Sequence, residues 1–197
     1  MKAFWLRDYT ILHLLEDSGA RASEIATLNL DYFDPQNNTL IILGKGNRYR
    51  RIELTQRTVQ LIKRYIIQYR VKPKPLYQHR LFINQRGEEL TRHGIYRICK
   101  KYLHKALGPK RLKNINPVHS FRHSCAVSLL LSGKSLTDIQ NRLGHEDIQF
   151  TTVYLHMDLT RKKAVQKRLI KYMNSSISED PEINKLIDWE NKNDVLE

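Results

Sequence analysis

Arginines, histidines, a lysine and a tyrosine stand in this chain at spacings that could do chemistry on a phosphodiester. In the C-terminal half, His119 and Arg122 lie three residues apart within His119-Ser120-Phe121-Arg122, Leu143-Gly144-His145 follows, and Tyr154 comes after that. Far upstream stand Arg21, just after Gly19-Ala20, and Lys45, between Gly44 and Gly46. A tyrosine hydroxyl has an ordinary pKa of about 10. It attacks a phosphate poorly unless cations surround the reacting group and a neighbour manages its proton. These residue types would supply both: guanidinium forks for phosphate oxygens, imidazoles and an ammonium for protons.

Each residue also has a plainer explanation. The His119/Arg122 spacing puts both on one helix face, as on any solvated basic helix. Gly144 most simply ends a helix with positive φ and hands His145 to the following loop. Tyr154 is one of ten tyrosines. Arg21 sits at a helix start, where backbone N–H groups favour anions, and would equally serve as a surface partner for Glu24. The glycines around Lys45 let a hairpin tip approach a ligand closely, and Gly-Lys-Gly is also an ordinary solvated turn.

Order and spacing together go further. The runs SGARASEIATL, GKGNRYRRIEL, HSFRHSCAVSLLLSG and IQNRLGHEDIQFTTVYLHM closely resemble the catalytic domain of the tyrosine recombinase (phage integrase) family, over roughly Asp8 to Met157. The resemblance implies that Arg21 is the family's first arginine, Lys45 its hairpin lysine, His119 and Arg122 its HxxR pair, His145 the histidine of its LGH motif, and Tyr154 the nucleophile. Phe121 replaces the leucine commonest inside the HxxR motif, a conservative apolar change, and Glu24 matches the acid that orients the first arginine. By the same resemblance the arginines would stabilise the charge gathering on the non-bridging oxygens. Lys45 would protonate the leaving 5′ oxygen, His119 would handle the tyrosyl proton, and His145 would bond a phosphate oxygen. The covalent intermediate conserves the bond energy, so rejoining is expected to need no cofactor and no metal.

The resemblance also implies double-stranded DNA as partner, a homotetramer on paired sites from chains that are monomeric when free, and accessory DNA-bending proteins. Integration, excision, inversion and resolution share the same residues. A type IB topoisomerase-like relaxase would share the tyrosine chemistry but act as a monomer. A regulator with a vestigial site would have no reason to keep Tyr154.

Composition agrees with a polyanionic partner. The chain has 34 Lys+Arg against 20 Asp+Glu, a formal net charge of +14. Residues 175–197 hold seven acids and two lysines, so the remainder carries +19. Candidate DNA contacts are Arg92, Arg97, Lys100, Lys110, Arg111 and Lys113, each equally explained as a phosphate contact. The two cysteines, Cys99 and Cys125, lack metal-like spacing and point to a reducing cytoplasm. No apolar run is long enough to span a bilayer, and no partnership with a membrane is expected.

The expected architecture is mostly α with a small antiparallel β-sheet (α+β), as a catalytic domain over residues 1–174 and an acidic tail over 175–197 carrying a short helix from Pro181. Relatives usually carry an N-terminal core-binding domain, and none is expected within this chain. Phe4, Trp5, Tyr9, Leu12 and Leu15 predict an amphipathic helix ending at Gly19, and Arg21 begins a short second helix. Strands are expected at Leu30 to Asp34, Thr39 to Leu43 and Tyr49 to Leu54, with Lys45 at a hairpin tip. Thr55 caps a helix running to about Tyr69, with Leu54 and Val59 as its staple. Leu81 to Ile83 reads as a short strand, Thr91 caps a helix closed by Gly108-Pro109, and Lys110 to Asn116 lacks periodicity. Pro117 opens the helix of His119 and Arg122, which ends before Gly133. Ser135 caps another, ended by Gly144, and Ile148 to Met173 is again helical in pattern.

Overall fold

Helix α1 (Trp5–Ser18) is the element on which the others pack. The computed structural model describes residues 4–113 and 115–144, so the helices expected beyond Ile148 and at Pro181 lie outside the described residues. Gly19 ends α1 at φ 62°, its N–H bonding Leu15 O at 3.0 Å.

The helix is not amphipathic: Leu6, Ile11, Leu14, Arg7, Asp8, Thr10 and His13 are all buried. Arg7, Asp8, Thr10 and Ser18 tolerate this through hydrogen bonds inside the protein. Arg7 pairs with Asp8 at 2.7 Å and bonds Ile83 O, while Thr10 and Ser18 donate to carbonyls one turn back. In sequence such residues look like a solvated face.

Helices α2 (Ala22–Ala26), α3 (Gln56–Arg64), α4 (Arg92–Leu107), α5 (Pro109–Leu112), α6 (Pro117–Leu131) and α7 (Leu136–Leu143) follow. α3, α4 and α6 pack on α1, and α7 bridges α6 and the sheet. The caps agree with the sequence: Thr55, Thr91 and Ser135 accept from backbone N–H groups three residues on, and Asn116 does the same ahead of Pro117. Leu54 and Val59, the staple positions, are both buried. Beyond Arg64 the chain widens into a π-turn over Tyr65–Tyr69, closed by Arg70 N–H on Tyr65 O. Cys99 and Cys125 are free and buried, and burial pushes both thiols up to about 12.

The sheet is a meander, β1 (Phe33–Asp34), β2 (Thr39–Leu43) and β3 (Tyr49–Glu53), with Ile42 opposite Arg50 and Leu40 opposite Ile52. The first strand is shorter than expected because Leu30–Tyr32 form a 3₁₀ turn. Leu81–Ile83 form no strand. They are buried, bend at Leu81 and Phe82, and are held by single bonds such as Leu81 N–H to Leu28 O and Leu90 N–H to Phe82 O. The segment after Gly108 is not irregular throughout: α5 makes one helical turn that buries Leu112.

Asp17, in the last turn of α1, ties that helix to three other elements. Its main-chain carbonyl accepts from Arg142, whose Nη2 also reaches Glu53 O at 2.7 Å. Its carboxylate accepts from the Thr55 N–H and hydroxyl. The end of α1 thereby fixes α7, β3 and the start of α3 together.

Candidate active site

Arg21, His119 and Arg122, separated by up to about a hundred residues, line one cleft of roughly 540 Å³ together with Ser23, Arg92 and Tyr96. Asn116, whose side chain caps α6 through the His119 N–H at 3.3 Å, orients the first turn of that helix. From there the three-residue spacing sets His119 and Arg122 on the same wall. His119 is exposed, whereas Arg122 is only 5% exposed.

Burial of Arg122 has a visible cause. Its Nη1 donates to Gly19 O at 2.6 Å and its Nη2 to Leu143 O at 2.6 Å, the ends of α1 and α7. Carbonyls at a helix C-terminus lack intrahelical partners and carry the negative end of the dipole, so a guanidinium satisfies both needs. Two helix ends thereby fix the orientation of the fork.

The same device recurs on successive carbonyls. Arg50 Nε donates to Arg142 O at 3.0 Å, Arg122 to Leu143 O, and Arg21 Nη2 to Gly144 O at 3.3 Å. Three arginines from three other parts of the chain therefore hold the last residues before His145. Gly144 itself takes φ 65°, as its place at the helix end requires.

Glu24 ties two of these arginines together. It is 4% exposed and accepts from the Arg21 N–H at 2.8 Å, from Arg21 Nη1 at 2.9 Å, and from both Nη atoms of Arg50 at 3.1 and 2.7 Å. Burial pushes its carboxyl up, but the Arg50 hydrogen bonds and charge, with the Arg21 N–H and charge, outweigh it and hold the group below the usual range. The Arg21–Glu24 pairing is real, and it is more than a surface ion pair, because the acid is buried and shared. Arg21 keeps 41% of its side chain exposed at the cleft.

Lys45 lies in the 3₁₀ turn Lys45–Asn47 between β2 and β3, where Gly46 at φ 71° and Asn47 at φ 59° make the reversal. Gly44 has an extended backbone; a methyl placed on it would lie 3.6 Å from Glu24 Oε1, so the hairpin base abuts the arginine cluster. His145 and Tyr154 lie outside the described residues.

On α4, Arg92, Arg97 and Lys100 are exposed, as are Lys110, Arg111 and Lys113 beyond it. Arg92, His93 and Tyr96 line the cleft, and Arg97 and Lys100 continue from His93 at helical spacing away from it. Sequence reasoning did not single out Arg50, Tyr96 or Asn116. For Arg50 a signal existed: it shares the inner face of β3 with Ile52, and an arginine on a core-facing strand position must find buried partners.

The model of the phage integrase family matches residues 2–161. Tyrosine recombinase XerC of Thermodesulfovibrio yellowstonii is 37% identical over 78% of the chain and 51% of its own length. The XerH site-specific recombinase bound to a palindromic difH substrate, in a post-cleavage complex, superposes with a TM-score of 0.70 at 26% identity, over 91% of this chain and 48% of that one. The Tn1549 transposon integrase in complex with circular intermediate DNA gives 0.62 at 25%, over 82% and 58%. The chain thus spans about half the length of the recombinases it matches. With its mostly helical fold, three-stranded meander and matching sequence, the chain belongs to the phage integrase family of tyrosine recombinases.

Proposed function

We propose that this domain breaks and rejoins strands of double-stranded DNA in site-specific recombination, through a 3′-phosphotyrosyl intermediate on Tyr154. The observation that carries the reading is the cleft where Arg21, His119 and Arg122 meet beside the end of α7. Cations preorganised by protein carbonyls need no rearrangement when charge develops on a bound phosphate.

In the proposed step the Tyr154 oxygen attacks phosphorus while the bond from phosphorus to the 5′ oxygen breaks. His119 accepts the tyrosyl proton, Lys45 supplies the proton that makes the leaving group a 5′ hydroxyl, and Arg21, Arg122 and His145 bind the non-bridging oxygens. A 5′ hydroxyl of another strand reverses the step and frees the tyrosine. Arg92, Arg97 and Lys100 along α4, and Lys110, Arg111 and Lys113 beyond it, neutralise backbone phosphates. Two duplexes are processed by a homotetramer on paired sites, assembled from monomers with accessory DNA-bending proteins.

A suicide duplex, nicked so that the short 5′-hydroxyl fragment diffuses away, tests this directly. The protein should become attached to the 3′ phosphate, whereas Tyr154→Phe should bind the duplex without leaving an adduct. An adduct that survives the change, or maps to Tyr96 or Tyr102, would refute the assignment.

A further inference from the structure

Arg50 has no part in the chemistry set out above, yet it occupies the junction of hairpin, α2 and α7. Its guanidinium is bidentate on Glu24 and bonds Arg142 O, with only 13% of the side chain exposed. Two glycines flank it. A methyl group on Gly44 would come within 3.2 Å of Arg50 Nη1, and one on Gly144 within 3.0 Å. Gly44 has φ −93°, which any residue adopts, so what its bare Cα provides is room for the fork. The residues that follow these glycines are Lys45 and His145.

The hairpin needs such an anchor. Its tip turns through two consecutive positive-φ residues, and beyond the β2–β3 ladder it is closed by the Gly44 N–H to Arg48 O bond at 2.9 Å. A two-stranded extension of this kind is a soft lever unless its base is fixed. Arg50 fixes it, tying β3 to the buried carboxylate that also aims Arg21 and to the helix end that leads into His145.

We propose that Arg50 is a positioning residue for leaving-group protonation: by pinning the base of the hairpin to α2 and α7, it sets where Lys45 is delivered relative to the phosphate cage. The inference rests on Lys45 being the general acid. Arg50→Lys keeps the charge but loses the planar fork that serves both carboxylate oxygens and a carbonyl at once. Gly44→Ala keeps Arg50 and crowds it, which leaves a second route to the same displacement should the first variant fold poorly.

The test compares Arg50→Lys, Gly44→Ala and Lys45→Ala on suicide duplexes carrying oxygen or sulfur at the scissile 5′ bridging position, with melting curves and half-site binding measured alongside. Sulfur leaves without needing a proton. Arg50→Lys and Gly44→Ala should cleave the oxygen duplex about 10²-fold more slowly, the scale of an ångström of misplacement. They should recover most of that loss on sulfur, as Lys45→Ala does, with half-site affinity unchanged. Equal slowing on both duplexes while Lys45→Ala is rescued overturns the positioning role, as does unimpaired oxygen cleavage by both variants. Failure of sulfur to rescue Lys45→Ala overturns instead the assignment of Lys45 as the acid.

Discussion

Glu24→Gln removes one negative charge from the arginine cluster while preserving shape, and its cost follows from what the carboxylate touches. Breaking a buried ion pair by removing one partner costs about 3–5 kcal/mol. Here the Arg50 side of the cluster is nearly buried, at 13% exposure, whereas Arg21 is 41% exposed. Screening by solvent holds the Arg21 share to at most about 1 kcal/mol. Glutamine keeps one acceptor oxygen and turns its amide hydrogens toward donors. The expected loss is therefore about 2–4 kcal/mol. For a chain of this size that lowers Tm by about 5–15 °C.

Urea unfolding as a function of pH separates this charge effect from a packing defect. The folded Glu24 carboxyl lies below its usual value of 4.5. A depressed folded pKa means that the unfolded chain takes up protons first as pH falls, so the stabilisation is complete above about 4.5 and is lost as pH drops through the folded value. Glutamine does not titrate. The gap between wild type and Glu24→Gln should stay level at neutral pH and narrow in that acid window. A gap that persists undiminished below it, or none at pH 7, would refute the shared-carboxylate account.

Two further expectations rest on other parts of the fold. Gly19→Ala should cost about 2–4 kcal/mol, because it combines a left-handed backbone with overpacking: its methyl would lie 2.3 Å from Leu143 Cδ2 and 3.1 Å from Cys125 Sγ. Gly46→Ala, at φ 71° with nothing within 4 Å, should show only the backbone share, about 1–2 kcal/mol, and equal costs in urea unfolding would mean that α7 does not pack there. Arg97→Ala and Lys100→Ala should each reduce the slope of log affinity against log salt by about 1 for half-site binding. An unchanged slope would take that residue out of phosphate contact.

Local rules carried the helix boundaries well, since a cap is a short-range event. Thr55, Thr91, Ser135, Pro117, Gly19 and Gly144 each act within a few residues of where they stand. Burial is set by tertiary placement, and there the reading of α1 went wrong: Arg7 and Asp8 satisfy each other inside the core, so their polarity says nothing about solvent. Leu81–Ile83 looked like a strand because a short apolar run is coded alike whether it joins a ladder or only lies buried in the core. The site had the same limit. Types and spacing singled out Arg21, His119 and Arg122, which line one cleft, but the carbonyls that hold the two arginines belong to the backbone, whose partners no side-chain pattern records.

Those carbonyls explain how several cations can be held rigid and still be open to the phosphate of the proposed reaction. Arginines fixed by carboxylates would be neutralised by their own anchors. Here Arg21 and Arg50 share one acid, Glu24, while carbonyls orient all three arginines: Gly144 O takes Arg21, Arg142 O takes Arg50, and Gly19 O and Leu143 O take Arg122. Carbonyl dipoles orient a guanidinium without cancelling its charge, so Arg21, Arg50 and Glu24 together keep a net positive charge. In the proposed reaction a phosphodiester enters with one negative charge and its five-coordinate transition state gathers a second. A cluster with this surplus favours the transition state over the ground state, which is the condition for binding energy to appear as rate.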